Sequence, residues 1–134
     1  MPNTLAPVAT RICPQLSVRR SAEAVEFYKA AFGAVELYRV ENAAGEVVST
    51  LAVDGAEFWV AEEAPAHANF SPETLDGGTT RMLLEVDDPR SAVDRAVAAG
   101  ATLVYPVHLA HGWLLGRVVD PYGHHWEVGR PPAR

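Results

Sequence analysis

The second half of this 134-residue chain repeats residue types of the first half at a fixed distance. Val86 falls 68 positions after Val18, Val93 after Val25, Gly123 after Gly55, Trp126 after Phe58 and Val128 after Val60. Ala92-Val93-Asp94 follows Ala24-Val25-Glu26 at the same offset. An offset held through strand-like, helical and turn-like stretches predicts two copies of one unit. It also gives each residue a twin, and the unlike twins are the informative ones. Cys13 is paired with Arg81, and Trp59 with Glu127.

The unit reads in the same order both times. In a first module, residues 11–63, Arg11 to Val18 is a candidate strand. Ser21 is placed to cap a helix running to Phe32, in which Val25, Tyr28, Ala31 and Phe32 recur at helical spacing, and Gly33 is its stop. Strand-like runs follow at Val35–Glu41, Val47–Val53 and Glu57–Glu62, divided by a turn at Asn42 to Gly45 and a hairpin signal at Asp54-Gly55. In a second module, residues 79–129, Thr79 to Val86 is the strand, Asp88 the cap and Pro89 the first helical residue. Val93, Ala96 and Val97 form the buried stripe, and Gly100 ends the helix. Strands are expected at Thr102–Val107, Trp113–Val119 and His124–Val128, the last preceded by the turn Asp120-Pro121-Tyr122-Gly123. Residues 1–10 read as an N-terminal extension, 64–78 as an aperiodic linker, and 130–134 as a tail. The expected fold class is α+β: two βαβββ modules within one domain.

Composition narrows the function classes. Seventeen acidic against eleven basic residues give a net charge of −6, with no Lys/Arg run, so a nucleic-acid partner is not expected. The balance suits a cationic small ligand, or simply a solvated acidic surface. No stretch approaches the ~20 apolar residues of a membrane helix. Cys13 is the single cysteine, which rules out an intrachain disulfide and a Cys-based zinc site and suits a reducing cytoplasm. The first ten residues lack the basic flank and apolar run of a signal peptide.

Two motifs carry a resemblance. Ala24-Val25-Glu26-Phe27-Tyr28-Lys29-Ala30-Ala31-Phe32-Gly33-Ala34 is similar to the helix of the vicinal oxygen chelate superfamily, and Asp120-Pro121-Tyr122-Gly123-His124-His125-Trp126-Glu127-Val128 to its closing turn and last strand. That superfamily includes glyoxalases, bleomycin-resistance proteins, fosfomycin-resistance enzymes and extradiol dioxygenases. The chain looks closest to its small PhnB-like and bleomycin-resistance-like members. The resemblance spans roughly residues 11–129 and specifies fold more than function. It implies two paired βαβββ modules whose sheets curl around a pocket, often completed in a homodimer. Metal enzymes of the superfamily carry ligands on the first and last strands of each module. By motif alignment those positions are Cys13, Trp59, Arg81 and Glu127, which the internal repeat links independently.

Only Glu127 keeps the carboxylate or imidazole chemistry that such metals need. Arg81 offers no lone pair, Trp59 has no ligand atom, and Cys13 with one Glu makes a poor site. The inherited metal site therefore reads as lost, and no cofactor is expected. An Arg81–Glu127 ion pair is expected in its place. It either fills a dead site or leaves Arg81 to receive an anionic or carbonyl group while Trp59 stacks on the flat part of a ligand. His125 shares a strand face with Glu127 and is a candidate base or ligand contact, whereas His124 points away to the surface. His111 and Trp113 are candidate pocket residues in and after a loop. His108 and His111 form a His-x-x-His pair that, with His125 and Glu127, is an alternative, displaced metal site. No serine lies in a Gly-x-Ser-x-Gly turn. The reading favoured by these residues is a metal-independent small-molecule binding protein. The alternatives are an enzyme using a displaced metal or His125/Glu127 acid–base chemistry, and a subunit with a vestigial pocket.

Overall fold

Each helix forms where an apolar stripe at helical spacing is bracketed by a start and a stop. The computed structural model describes residues 5–133. Its first helix, α1 (Ser21–Phe32), buries Ala24, Val25, Phe27, Tyr28, Ala31 and Phe32. Gly33 closes it in the left-handed conformation, φ 69°. The start differs from expectation. Arg20, itself left-handed, is the capping position, and Ser21 lies inside the helix. The free N–H groups of Arg20 and Ser21 are taken by the carboxylate of Glu62, at 3.2 and 2.9 Å. Ser21 Oγ instead accepts from Val47 N at 2.9 Å. A carboxylate at a helix N-terminus satisfies the donors and favours the dipole, so a group 41 residues away does the work assigned to Ser21. The twin helix, α3 (Pro89–Ala99), starts as its sequence indicates, with Asp88 accepting from Ser91 N at 3.1 Å.

The strands are β1 (Gln15–Val18), β2 (Val35–Glu41), β3 (Val47–Val53), β4 (Ala56–Glu62), β5 (Met82–Glu85), β6 (Thr102–Ala110), β7 (Trp113–Val119) and β8 (His125–Arg130). They form two four-stranded sheets ordered β1-β4-β3-β2 and β5-β8-β7-β6, each with one parallel pair. This is the paired βαβββ fold. β1 and β5 are shorter than expected, because residues 11–14 and 79–81 lie beyond the parallel ladder. β6 is longer: it pairs with β7 as far as Ala110–Trp113 through the tight turn His111-Gly112, so His108 stands on a strand and not in a loop. The linker is not featureless. It holds a 3₁₀ turn at Pro65–His67 and a short helix, α2 (Pro72–Leu75), whose cap is Ser71.

The repeat is also not constant. Parallel registers superpose at an offset of 68, Gln15↔Trp59 on Leu83↔Glu127. The middle strands superpose at 67, Thr50↔Trp59 on Arg117↔Glu127 and Val35↔Ala52 on Thr102↔Val119. α3 is one residue shorter than α1, and the turn before β8 is one residue longer than that before β4.

The helix-side faces of both sheets meet in one core. Leu51, Phe58 and Val60 of the first module pack with Val118, Trp126 and Val128 of the second. Trp126 lies 4.6 Å from Phe32, 5.5 Å from Tyr28 and 5.4 Å from Phe58, ring centre to ring centre. Asp120, buried among these rings, accepts from Tyr28 Oη at 2.5 Å, Trp126 Nε1 at 3.0 Å, and the backbone of Tyr122 and His124. Both carboxylate oxygens are thereby hydrogen-bonded, as a buried carboxylate requires. α1 packs on α3, and Arg95 Nε donates to the orphan carbonyl of Ala30 at 2.9 Å. The opposite face of each sheet points away from this core; on the first sheet it buries Thr50 and Ala52 and exposes Tyr38 and Val48. No described helix is long and apolar enough to cross a membrane.

Candidate functional site

On β8, Trp126 and Val128 turn into the core, so alternation sends His125 and Glu127 to the open face. Across the ladder from Glu127 stands Arg117, and across from His125 stands Val119. The Glu127 carboxylate receives two guanidiniums on the same oxygen. Arg81 Nε donates to Oε1 from the residue before β5, and Arg117 Nη2 donates to Oε1 at 2.6 Å. The Arg117 guanidinium also lies over the Tyr105 ring, 5.5 Å from its centre. The exposures grade the trio: Glu127 12%, Arg117 25%, Arg81 60% of the side chain. Burial pushes the Glu127 carboxyl up, and the bonds from Arg117 and then Arg81 outweigh it, leaving it below the ordinary glutamate range. The same contact raises the Arg117 pKa.

A cavity of about 610 Å³ adjoins this trio at the seam between the modules. Its apolar wall comes from Pro14 just before β1, Leu16 of β1, Phe70 and Leu75 of the linker, and Met82 of β5. Its polar wall includes Arg81, Arg117, His124 and His125. The linker is held over it by Glu63. That carboxylate accepts from Ser71 N at 2.9 Å, from Thr74 Oγ1 at 2.7 Å and from Arg19 Nε at 3.1 Å, and its pKa is lowered to about 2, chiefly by the Ser71 backbone bond. Gly123 makes the close approach possible. Its φ is 92°, and a Cβ there would sit 2.8 Å from Pro72 Cβ.

The sequence-derived candidates divide between two places. Arg81, His125 and Glu127 come together. Trp59 stands on the open face of the first module, its ring 6.0 Å from Tyr38, with Cys13 half-buried in the segment before β1; neither borders the cavity. Trp113 and His111 lie at the far end of the β6–β7 hairpin and do not border it either. His124, expected at the surface, points inward instead, its Nε2 2.8 Å from the carbonyl of Ser17, and so bridges the modules. His108 packs its ring against Tyr105 and bonds the Pro106 carbonyl. Among the described residues no three His, Cys, Asp or Glu side chains gather as a metal-binding group. The donor chemistry of the trio does not fit a metal either: Glu127 is its one donor residue, and two cations already occupy it.

Sequence reasoning missed Arg117. An offset of 68 pairs it with Ser49, a buried residue of the other face. The ladder pairs it with Thr50 through the common partner position Trp59/Glu127. A four-residue hairpin at Asp120–Gly123 would have set Arg117 opposite Trp126; His124 belongs to the turn as well, with Asp120 N bonded to its carbonyl at 2.9 Å, and that extra residue brings Arg117 opposite Glu127.

The profile of the glyoxalase-like domain family matches residues 12–129. An uncharacterized protein of Mycobacterium bovis is 34% identical over 129 residues, covering 92% of this chain and 85% of its own. Among solved structures, TioX from Micromonospora sp. ML1 superposes with a TM-score of 0.69 at 26% identity, covering 91% of this chain and 98% of that one. The fosfomycin resistance protein FosX from Listeria monocytogenes, crystallised with Mn(II) and sulfate, superposes with a TM-score of 0.68 at 12% identity, over 92% and 93% of the two chains, a likeness of fold.

Proposed function

The chain belongs to the glyoxalase-like domain family, and from that premise we propose that it is a small-molecule binding protein that works without the metal used by enzymes of its superfamily. The observation that carries the reading is Glu127 held by Arg81 and Arg117 beside a cavity of about 610 Å³. That volume lies in the range of ligand sites. Guanidiniums at a ligand position supply charge and hydrogen bonds, not Lewis acidity. His125/Glu127 acid–base chemistry is the weaker reading, because a carboxylate with a lowered pKa and two cationic partners is a poor proton acceptor.

A second copy of the chain completes the site in this proposal. The open face of the first module carries Val35, Tyr38, Val40 and Val48, each 42–61% exposed, around Trp59. Contiguous apolar surface of this kind favours a partner. In such a dimer Trp59 and Cys13 of one protomer face the Arg81–Glu127–Arg117 trio of the other, as pairing of unlike modules requires. The unpaired Cys13 suits a reducing, cytoplasmic setting. A thermal-shift screen of small organic compounds tests binding, since a ligand selective for the native state raises the melting temperature. Hits lost on Met82→Trp, which fills the cavity, support the reading. A library without hits, or hits indifferent to Met82→Trp, contradicts it.

A further inference from the structure

We infer that the ligand of this cavity is a small organic monoanion, a carboxylate on a compact apolar body, and that Arg117 together with Arg81 selects it. The inference rests on the binding reading above and adds the ligand's class. The chain carries seventeen acidic and eleven basic residues, yet no Asp or Glu is among the described residues lining the cavity. Its charged lining is Arg81 and Arg117 alone. Glu127 stands behind them, and one carboxylate against two guanidiniums leaves the trio one positive charge. Both cations use that carboxylate through a single oxygen, Oε1. Each guanidinium has five N–H donors; Arg81 Nε and Arg117 Nη2 serve Glu127 and Arg117 Nε is buried, which leaves chiefly Arg117 Nη1 and the two terminal nitrogens of Arg81 for a ligand. Glu127 and the Tyr105 ring meanwhile fix the direction of Arg117, which lowers the ordering cost of binding. A carboxylate matches the guanidinium fork in two parallel bonds. Leu16, Phe70, Leu75 and Met82 give the rest of the ligand an apolar wall. A cationic ligand, which the overall charge alone would suggest, meets repulsion here and no counter-charge in the wall.

The test is isothermal titration with matched triplets: benzoate, phenylacetate and 4-methylvalerate, each beside its amide and its corresponding amine. At least one acid is expected to bind about tenfold or more tighter than its amide, about 1.4 kcal/mol, with the amine weakest. That preference is expected to vanish in Arg117→Met. Should that variant not fold, Arg81→Met serves, because its 60% exposed side chain can be truncated with little loss of packing; acid affinity is expected to fall about tenfold there too. Amide or amine binding as tightly as acid overturns the inference and leaves the binding reading standing. So does acid binding untouched by both variants, or no acid binding while neutral members of the thermal-shift library bind. Silence from triplets and library alike defeats the binding reading itself.

Discussion

Replacing Arg117 by Met separates the two cations that share Glu127. Arg117 is three-quarters buried and bonded to Glu127 at 2.6 Å, whereas Arg81 is 60% exposed. A hydrogen bond to a charged group contributes about 1.5–3 kcal/mol when partly buried. The stacking of Arg117 on Tyr105 adds about 0.5–1 kcal/mol. Met keeps most of the apolar stem, so Arg117→Met is expected to cost about 2–3 kcal/mol at pH 7. An exposed ion pair is screened, and Arg81→Met is expected to cost at most about 1 kcal/mol. The pH dependence carries the diagnosis. The folded Glu127 carboxyl lies below its ordinary value of about 4.3. Its contribution is therefore full above that value and fades as pH falls through the lower folded one. The wild-type advantage over Arg117→Met is expected to shrink as pH falls below about 4.3, to the stacking and packing remainder. Urea denaturation of wild type and both variants from about pH 2 to 8 measures it. A gap of equal size at every pH, or an Arg81→Met penalty exceeding that of Arg117→Met, would refute the coupling.

Two further outcomes follow from the buried and clamping carboxylates. Asp120→Asn is expected to cost about 2–4 kcal/mol in chemical denaturation, because its NH₂ group replaces either Oδ2, which accepts from both Tyr28 Oη and Trp126 Nε1, or Oδ1, which accepts from the backbone of Tyr122 and His124; a loss under 0.5 kcal/mol would mean that the Asp120 bonds do not tie the modules together. Glu63 holds the linker with its pKa lowered to about 2, so the clamp is expected to be intact above about pH 4.3 and to loosen as pH falls toward 2. Hydrogen exchange at residues 69–77 is expected to rise over that range in wild type and to be raised at all pH values in Glu63→Gln; equal protection in both proteins at neutral pH would show that Glu63 does not hold the linker.

The elements that were legible were those whose signals are local. The helices at Ser21–Phe32 and Pro89–Ala99 follow from a 3.6-residue stripe and a terminal glycine, and the pairing of Arg81 with Glu127 follows from the resemblance of two local motifs, which puts both residues at ligand positions of the second module. What escaped depends on groups distant in sequence or on turn length. Glu62 replaces Ser21 as cap from another strand. A single extra residue before β8, compensated by one fewer in α3, shifts the middle strands to an offset of 67 and hides Arg117. His124 looked solvent-facing by alternation, but it precedes the strand, in the turn, where alternation does not apply. His111-Gly112 closes a hairpin with both residues at positive φ, a role usually signalled by Asn-Gly, so β6 appeared three residues too short.

The proposal that guanidiniums stand where the superfamily's metal enzymes carry donors is tested most directly by titrating the best-binding acid into protein stripped with a chelator, before and after adding Mn(II), Fe(II), Ni(II) or Zn(II). Affinity unchanged by any of the metals, and lost in Arg117→Met, is the expected result. Binding that appears only with a metal present, and that disappears in Glu127→Ala, would contradict the account.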